Sequence, residues 1–546
     1  MNLRQWLVLA LLGLLLSAVV QISGHVDHSP PLPPPITPEQ QLRQAVSQLD
    51  EWFTNHWQTA GITPAPETSD LAVFRRASLA LFGSSPSLED LRAFENDTQP
   101  DKLERWIQQM LRDPRFAGYF ARRLARSLAG VEQGPFILFR RDRLTEWLEE
   151  QLLKDASWST ITRELIAAEG LWTDKPAANF ITIARMENED IDENKLAGRT
   201  VRTFLGQRID CAQCHDHFFD PKWKQHHFEG LAAWFGHVHV TLGGVTDAAT
   251  DNQPPREFRV ADPGKDPEAA RIVQPAVPFH PEWLPQHGSR RSRLAAWVTH
   301  PNNRRFERAI ANRIWGLMFG RPFHEPVDDL PHPENQTHDP LDLLGQQFRK
   351  HGDRLSTLVR IIALSKPFRL GTPGSNDPAE QIRQSRLWAA FPLVRLRPEQ
   401  VIGSLFQAGR IRSVDQNSHP LIRLMRLTFE NDFIQDYGDA GEDELIPQAA
   451  TISQMLLKMN GRFSQELGKV DLLTGPAQVL ALSPDDSAIV ENSFLMCLSR
   501  RPTPQEMLHF QKQLQQARKD GDKQREAVVE DLFWALFNTP EFAWNH

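Results

Sequence analysis

The chain is predicted to be mainly α, with two helical domains joined by a long Pro/Gly/Asp-rich connection. Three observations lead there. Apolar residues recur three and four positions apart through most of the sequence, as one buried face of a helix requires. No run of alternating strands appears, and residues 241–289 interrupt the helical pattern with Gly, Pro, Asp and Thr. At 546 residues the chain also exceeds what one core organises, since a domain takes ~150 residues.

In chain order, Arg4 precedes an apolar run from Trp6 to Val20, which fits the basic and apolar regions of an export signal. The run is short for a relaxed membrane span. Small residues follow at Ser23 and Gly24, but no clear A-x-A cleavage site does, so residues 1–24 are expected to act as a signal peptide or a single N-terminal membrane anchor. A buried N-terminal helix is the bland alternative. Residues 25–40 hold Ser29-Pro30-Pro31-Leu32-Pro33-Pro34-Pro35, a spacer that cannot enter a helix or an inner strand. Localisation is therefore expected to be periplasmic or in the cell envelope.

A first helical domain is expected over 41–240, opening with Leu42, Ala45, Val46, Leu49, Trp52 and Phe53 at helical spacing. Helices follow over 70–82, 87–95, 101–112, 114–130, 139–154 and 158–168, with breaks at Gly83, Pro100 and Asp113-Pro114. The 241–289 connection contains one strand-like piece, Phe258-Arg259-Val260. A second domain over 290–546 reads as helices at 291–299, 303–320, 340–350, 354–364, 380–391, 398–409, 447–459, 484–499, 503–517 and 523–538. Thr503-Pro504-Gln505-Glu506 has the chemistry of a helix start: a capping hydroxyl, a proline for the first turn and a glutamate that reaches back.

The formal charge of −8, from 61 basic and 69 acidic side chains interspersed along the chain, makes no basic field for a phosphate backbone, so nucleic acid is not an expected partner. The composition holds three cysteines, and two of them form Cys211-Ala212-Gln213-Cys214-His215. C-x-x-C-H is the attachment pattern of c-type haem: two thiols add to the porphyrin edge and the adjacent imidazole reaches the iron. Such attachment takes place outside the cytoplasm, which agrees with an export signal. Candidate second axial ligands are Met455 and Met459, four apart on a predicted helix, or His237 and His239. Phe218, Phe219, Trp223, Phe228, Trp234 and Phe235 could wall a haem, although core packing explains each of them as well.

Three other chemistries compete for the same residues. Cys211 and Cys214 with His215 or His217 and one of His226 or His227 could hold zinc. The pair could cycle as a redox dithiol, though no thioredoxin-like strand and helix alternation flanks it, or close a small disulfide loop. No nucleophile elbow, phosphate loop or H-E-x-x-H metalloprotease motif is present, so whether the chain is an enzyme stays open. Cys497 has no partner for a disulfide framework and is expected to be buried on its helix.

The ordered residues around the motif resemble a known family. Thr203-Phe204-Leu205-Gly206, Ile209-Asp210-Cys211-Ala212-Gln213-Cys214-His215-Asp216-His217, Phe219-Asp220-Pro221 and Ala232-Ala233-Trp234-Phe235, with Phe74-Arg75-Arg76 upstream, are similar to a cytochrome-type domain of unknown function found in planctomycetes and related bacteria. Leu294 to Thr299, Asn312-Arg313-Ile314-Trp315, Phe319-Gly320-Arg321, Pro326-Val327-Asp328-Asp329 and Leu498-Ser499-Arg500-Arg501-Pro502 resemble the companion domain that follows it. Arg321-Pro322 departs from that domain's F-G-R-G signature. The resemblance implies an exported, helical bacterial protein with a cytochrome-like motif at Cys211, Cys214 and His215, and it implies no known reaction; from the motif itself the expected role is electron transfer through one covalent haem or, without haem, that of a structural or binding protein of the envelope. A redox partner or an envelope component is the expected partner.

Overall fold

The computed structural model describes residues 39–130, 141–185, 191–217, 222–241, 243–247, 256–261, 270–333, 339–414, 433, 445, 451–471 and 474–545. The chain is mainly α. The expected N-terminal signal or anchor at 1–24 and the proline run at 29–35 lie outside the described residues, and no described helix is long and apolar enough to cross a membrane.

The opening helix, Glu39–Ala60, buries Leu42, Ala45, Leu49, Phe53 and Trp57 on one face, the stripe its spacing predicts. Helices at Asp70–Phe82, Leu88–Asn96, Lys102–Arg112, Pro114–Ala129, Arg141–Leu153 and Trp158–Ala167 follow, close to the expected bounds. Local chemistry sets their ends. Ser69, Ser87 and Asp113 accept from backbone N–H groups in the first turns, and Gly83 ends its helix in the left-handed conformation with its N–H on Leu79 O. Thr503 and Glu506 form the expected capping box at the start of Pro504–Asp520.

Helices unassigned from sequence stand at Glu193–Leu205 and Gln225–Ala232, on either side of the cysteine motif. Glu193–Leu205 contains Gly198 and the β-branched Thr200, Val201 and Thr203, which lower intrinsic helicity. Asp192 caps it, and burial of Leu196, Val201, Phe204 and Leu205 supplies the stabilisation that local preference lacks. Within the connection, Phe258-Arg259-Val260 does form a strand, Arg259–Val260, paired antiparallel with Arg271–Ile272. A second hairpin, His239–Thr241 with Gly244–Thr246, sits at its start.

The two sequence regions share one continuous apolar core. Buried arginines bind them together. Arg76 donates to Phe368 O (2.8 Å) and Leu370 O (2.6 Å) and lies over the Phe391 ring at 3.7 Å. Arg75 donates to Cys497 O and Phe542 O, and Arg291 to Ile166 O, Ala168 O and Asp247. A buried guanidinium costs stability unless its donors are paired, and the unpaired carbonyls at chain ends and bends are the partners used. Cys497 is fully buried, as expected, and burial pushes its thiol pKa up.

Candidate functional site

The motif lies on a short 3-10 turn, Asp210–Gln213, between Glu193–Leu205 and Gln225–Ala232. Ile209 and Ala212 are buried and pin the turn, with Ala212 N–H on Ile209 O at 2.8 Å. The residues around Ala212 are exposed, namely Cys211, Gln213, Cys214 and His215, and both thiols are unbonded. A turn of roughly three residues brings positions i and i+3 to one side, which places the two cysteines beside each other.

His215 Nδ1 lies 2.7 Å from Asp216 O. A carbonyl only accepts, so Nδ1 carries the proton and the Nε2 lone pair is left for a ligand. Asp216 is itself fixed: its carboxylate accepts from Gln225 N–H (3.0 Å) and pairs with Lys224 (3.0 Å), and these bonds hold it below the usual carboxylate range.

Both ends of the motif loop meet at one side chain that sequence reasoning did not single out. Gln207 Oε1 accepts from Trp223 Nε1 and from Arg305 Nη1, each at 2.9 Å, and Gln207 Nε2 donates to Leu330 O. Leu330 N–H returns to Gly206 O at 2.7 Å, and Arg208 reaches Asp329 Oδ1 through its N–H and Asp328 Oδ1 through Nε. Gln207 and Trp223 are buried, and so is Arg305. The motif is thus framed by the first domain and held from behind by residues 305 and 328–330 of the second. The signal for this was present only as Pro326-Val327-Asp328-Asp329, which has no meaning until the fold lays it beside Gly206.

The residues proposed for zinc are not brought together. His226 is exposed with its ring 4.2 Å from that of His227, and His227 Nδ1 accepts from Lys224 N–H to cap the helix that Lys224 cannot cap itself. Burial and the neighbouring His226 lower the His227 pKa. Backbone N–H of His217 donates to Trp223 O. Among the described residues no group of three or more His, Cys, Asp or Glu side chains is arranged to hold a metal ion.

The candidate second axial ligands stand outside the cysteine turn. His237 Nε2 is 3.2 Å from Glu257, which also pairs with Arg290. His239 opens the first hairpin, opposite Thr246. Met455 and Met459 are half-exposed on Ile452–Asn460, a helix packed on Arg462–Gly468 and Asp522–Asn538, whereas the cysteine turn packs on Gln225–Ala232. Trp223, Phe228, Trp234 and Phe235 are buried in the core, and Phe218 and Phe219 lie outside the described residues.

Covalent haem attachment asks for two accessible thiols and an imidazole with a free ring nitrogen on one short segment, and Cys211, Cys214 and His215 meet those requirements.

Residues 48–240 match the family model PSCyt2, a protein of unknown function (DUF1549), and residues 290–514 match PSD1, a protein of unknown function (DUF1553). The chain therefore carries these two domains of unknown function in order. It matches no curated protein and no solved structure.

Proposed function

We propose that this is an exported protein that attaches one haem through Cys211 and Cys214, with His215 Nε2 as iron ligand, and that it serves electron transfer in the periplasm or cell envelope. The observation that carries the reading is the His215 Nδ1 bond to Asp216 O beside two exposed, unbonded thiols. A ligating histidine is ordinarily oriented by a partner on its other nitrogen, and this contact is of that kind. Haem, when bound, supplies one-electron redox chemistry. The chain's own residues present the thiols on a pinned turn, fix the imidazole tautomer and hold the loop rigid through Gln207. The apolar Trp6–Val20 run supports export, as a cleaved signal or a single anchor.

The test is expression with the chain's own signal in a cell that matures c-type cytochromes, followed by an absorption spectrum and an intact mass. A Soret band and a haem-sized mass increase, both lost in the Cys211→Ala/Cys214→Ala variant, are expected. A colourless protein of unmodified mass defeats the proposal and leaves the exposed pair as a dithiol or a disulfide. Stoichiometric zinc in that colourless protein would instead assign the cysteines to a metal.

A further inference from the structure

Two backbone segments meet beside the cysteine turn, residues 215–217 and 222–225. His217 N–H donates to Trp223 O at 2.9 Å, Asp216 Oδ1 accepts from Gln225 N–H at 3.0 Å, and Lys224 Nζ lies 3.0 Å from Asp216 Oδ2. Gln225 also reaches the turn itself, its Nε2 donating to Gln213 O at 3.4 Å. The first of these contacts bears on His215, because the N–H of His217 and the C=O of Asp216 belong to one peptide unit. A trans peptide unit is planar, so its N–H and C=O point in opposite directions. An N–H aimed at Trp223 therefore turns the Asp216 carbonyl the other way, and that carbonyl is the one 2.7 Å from His215 Nδ1. Trp223 is held in turn: its indole is buried, and Nε1 donates at 2.9 Å to Gln207 Oε1, the same oxygen that accepts from Arg305.

We propose that Trp223 and Asp216 are the positioning residues of His215: together they orient the peptide plane between 216 and 217, keep the imidazole proton on Nδ1 and leave Nε2 open to a ligand. Trp223 supplies the acceptor that sets the rotation of the plane. Asp216, bonded through its side chain to Gln225 and Lys224, keeps the residue that carries the carbonyl from swinging away. His215 and Asp216 are exposed, so water competes for the Nδ1 proton, and an acceptor already oriented prevails because little conformational freedom is lost when the bond forms. The same arrangement carries domain docking to the imidazole. Arg305 and Leu330 of the second domain hold Gln207, Gln207 holds the Trp223 indole, and the Trp223 backbone holds the plane. The inference deepens the haem reading and rests on it only for what Nε2 binds.

Nitrogen NMR of the full chain tests it, with ring-labelled histidine, on protein made in the cytoplasm of a host, where haem is not attached, and kept reduced. At about pH 8 imidazole is neutral and its two tautomers are distinguishable. The His215 signals are those missing from His215→Gln. The parent should show a single Nδ1–H tautomer. Asp216→Ala and Trp223→Phe should each lose that selection and show both tautomers in exchange, whereas Asp216→Asn, whose amide oxygen still accepts from Gln225 N–H, should keep the parent pattern. Asp216 is exposed, so its two variants leave the core untouched and decide the matter if Trp223→Phe fails to fold. An Nε2–H tautomer or a mixture in the parent overturns the proposal, and so does the parent pattern surviving in Asp216→Ala or in a folded Trp223→Phe. The two readings fail separately: a colourless parent with the expected tautomers sinks haem attachment alone, and a haem-bearing parent whose haem-free form shows no tautomer selection sinks the positioning alone.

Discussion

Asp339 shows how single residues carry the second domain. Burial by itself would raise its carboxyl pKa, but His324 at 2.9 Å and the two-pronged contact of Arg308 at 2.7 and 2.8 Å outweigh that and hold it at about 2. A carboxyl depressed in the folded state contributes stability that is fully present above its unfolded pKa, near 4, and is lost as pH falls through the folded value. Urea midpoints should therefore be level above pH 5 and fall between about pH 4 and pH 2, and Asp339→Asn should flatten that part of the curve while lowering the midpoint at pH 7. An acid limb unchanged in the variant would assign the loss to other carboxylates. Residue identity also governed what could be read in advance. Cysteines are scarce enough that Cys211, Cys214 and His215 stand out from the sequence alone, whereas Gln207 is one amide among many. Its role comes from contacts with Trp223, Arg305 and Leu330, the last two more than ninety residues away.

The helix Glu193–Leu205 and the turn Asp210–Gln213 form a pair whose fit depends on one missing side chain. Gly198→Ala should raise the intrinsic helicity of Glu193–Leu205 by up to about 1 kcal/mol, while its methyl displaces the Asp210 carboxylate. The exposed ion pair lost with Arg202 is worth little. The expected result is a melting temperature equal to or above that of the parent together with an altered alkylation rate at Cys211, measured with iodoacetamide. Unchanged kinetics would show that the turn does not depend on where Asp210 lies. Legibility at this scale followed capping and burial. Helices with a Ser, Thr or Asp cap and a clear apolar stripe, such as Asp70–Phe82 and Pro504–Asp520, are readable from sequence. Glu193–Leu205 is not, because its glycine and β-branched residues argue locally for something else and only packing decides the matter.

Across the whole molecule, arginines reach from one domain into the backbone of the other. Arg76→Ala strips the partners from Phe368 O and Leu370 O and removes a cation over Phe391. A loss of about 3–5 kcal/mol is expected, the scale of leaving buried groups unpaired. Tryptophan fluorescence and circular dichroism should still report one coincident urea transition, shifted to lower denaturant, because the core is continuous. Two separated transitions in the parent protein would show that the domains unfold independently. Sequence patterns predict two helical units well. They do not show the interlock, since an arginine that pairs with carbonyls some 290 residues away leaves no periodic trace.

The glutamine that ties both ends of the motif loop has a consequence for the order of events as the chain emerges. Cys211 and Cys214 leave the ribosome, and in an exported chain cross the membrane, about a hundred residues before Arg305 and Leu330, and chains fold from the N-terminus as they emerge. Through that interval Gln207 has none of its second-domain partners, and the segment bearing the thiols is tied only at its own base. Docking of the later half then fixes it. Chemistry at the two sulfurs accordingly has an early period, in which the loop can conform to whatever catalyst handles it, and a late one, in which an outside agent meets a finished and unyielding surface.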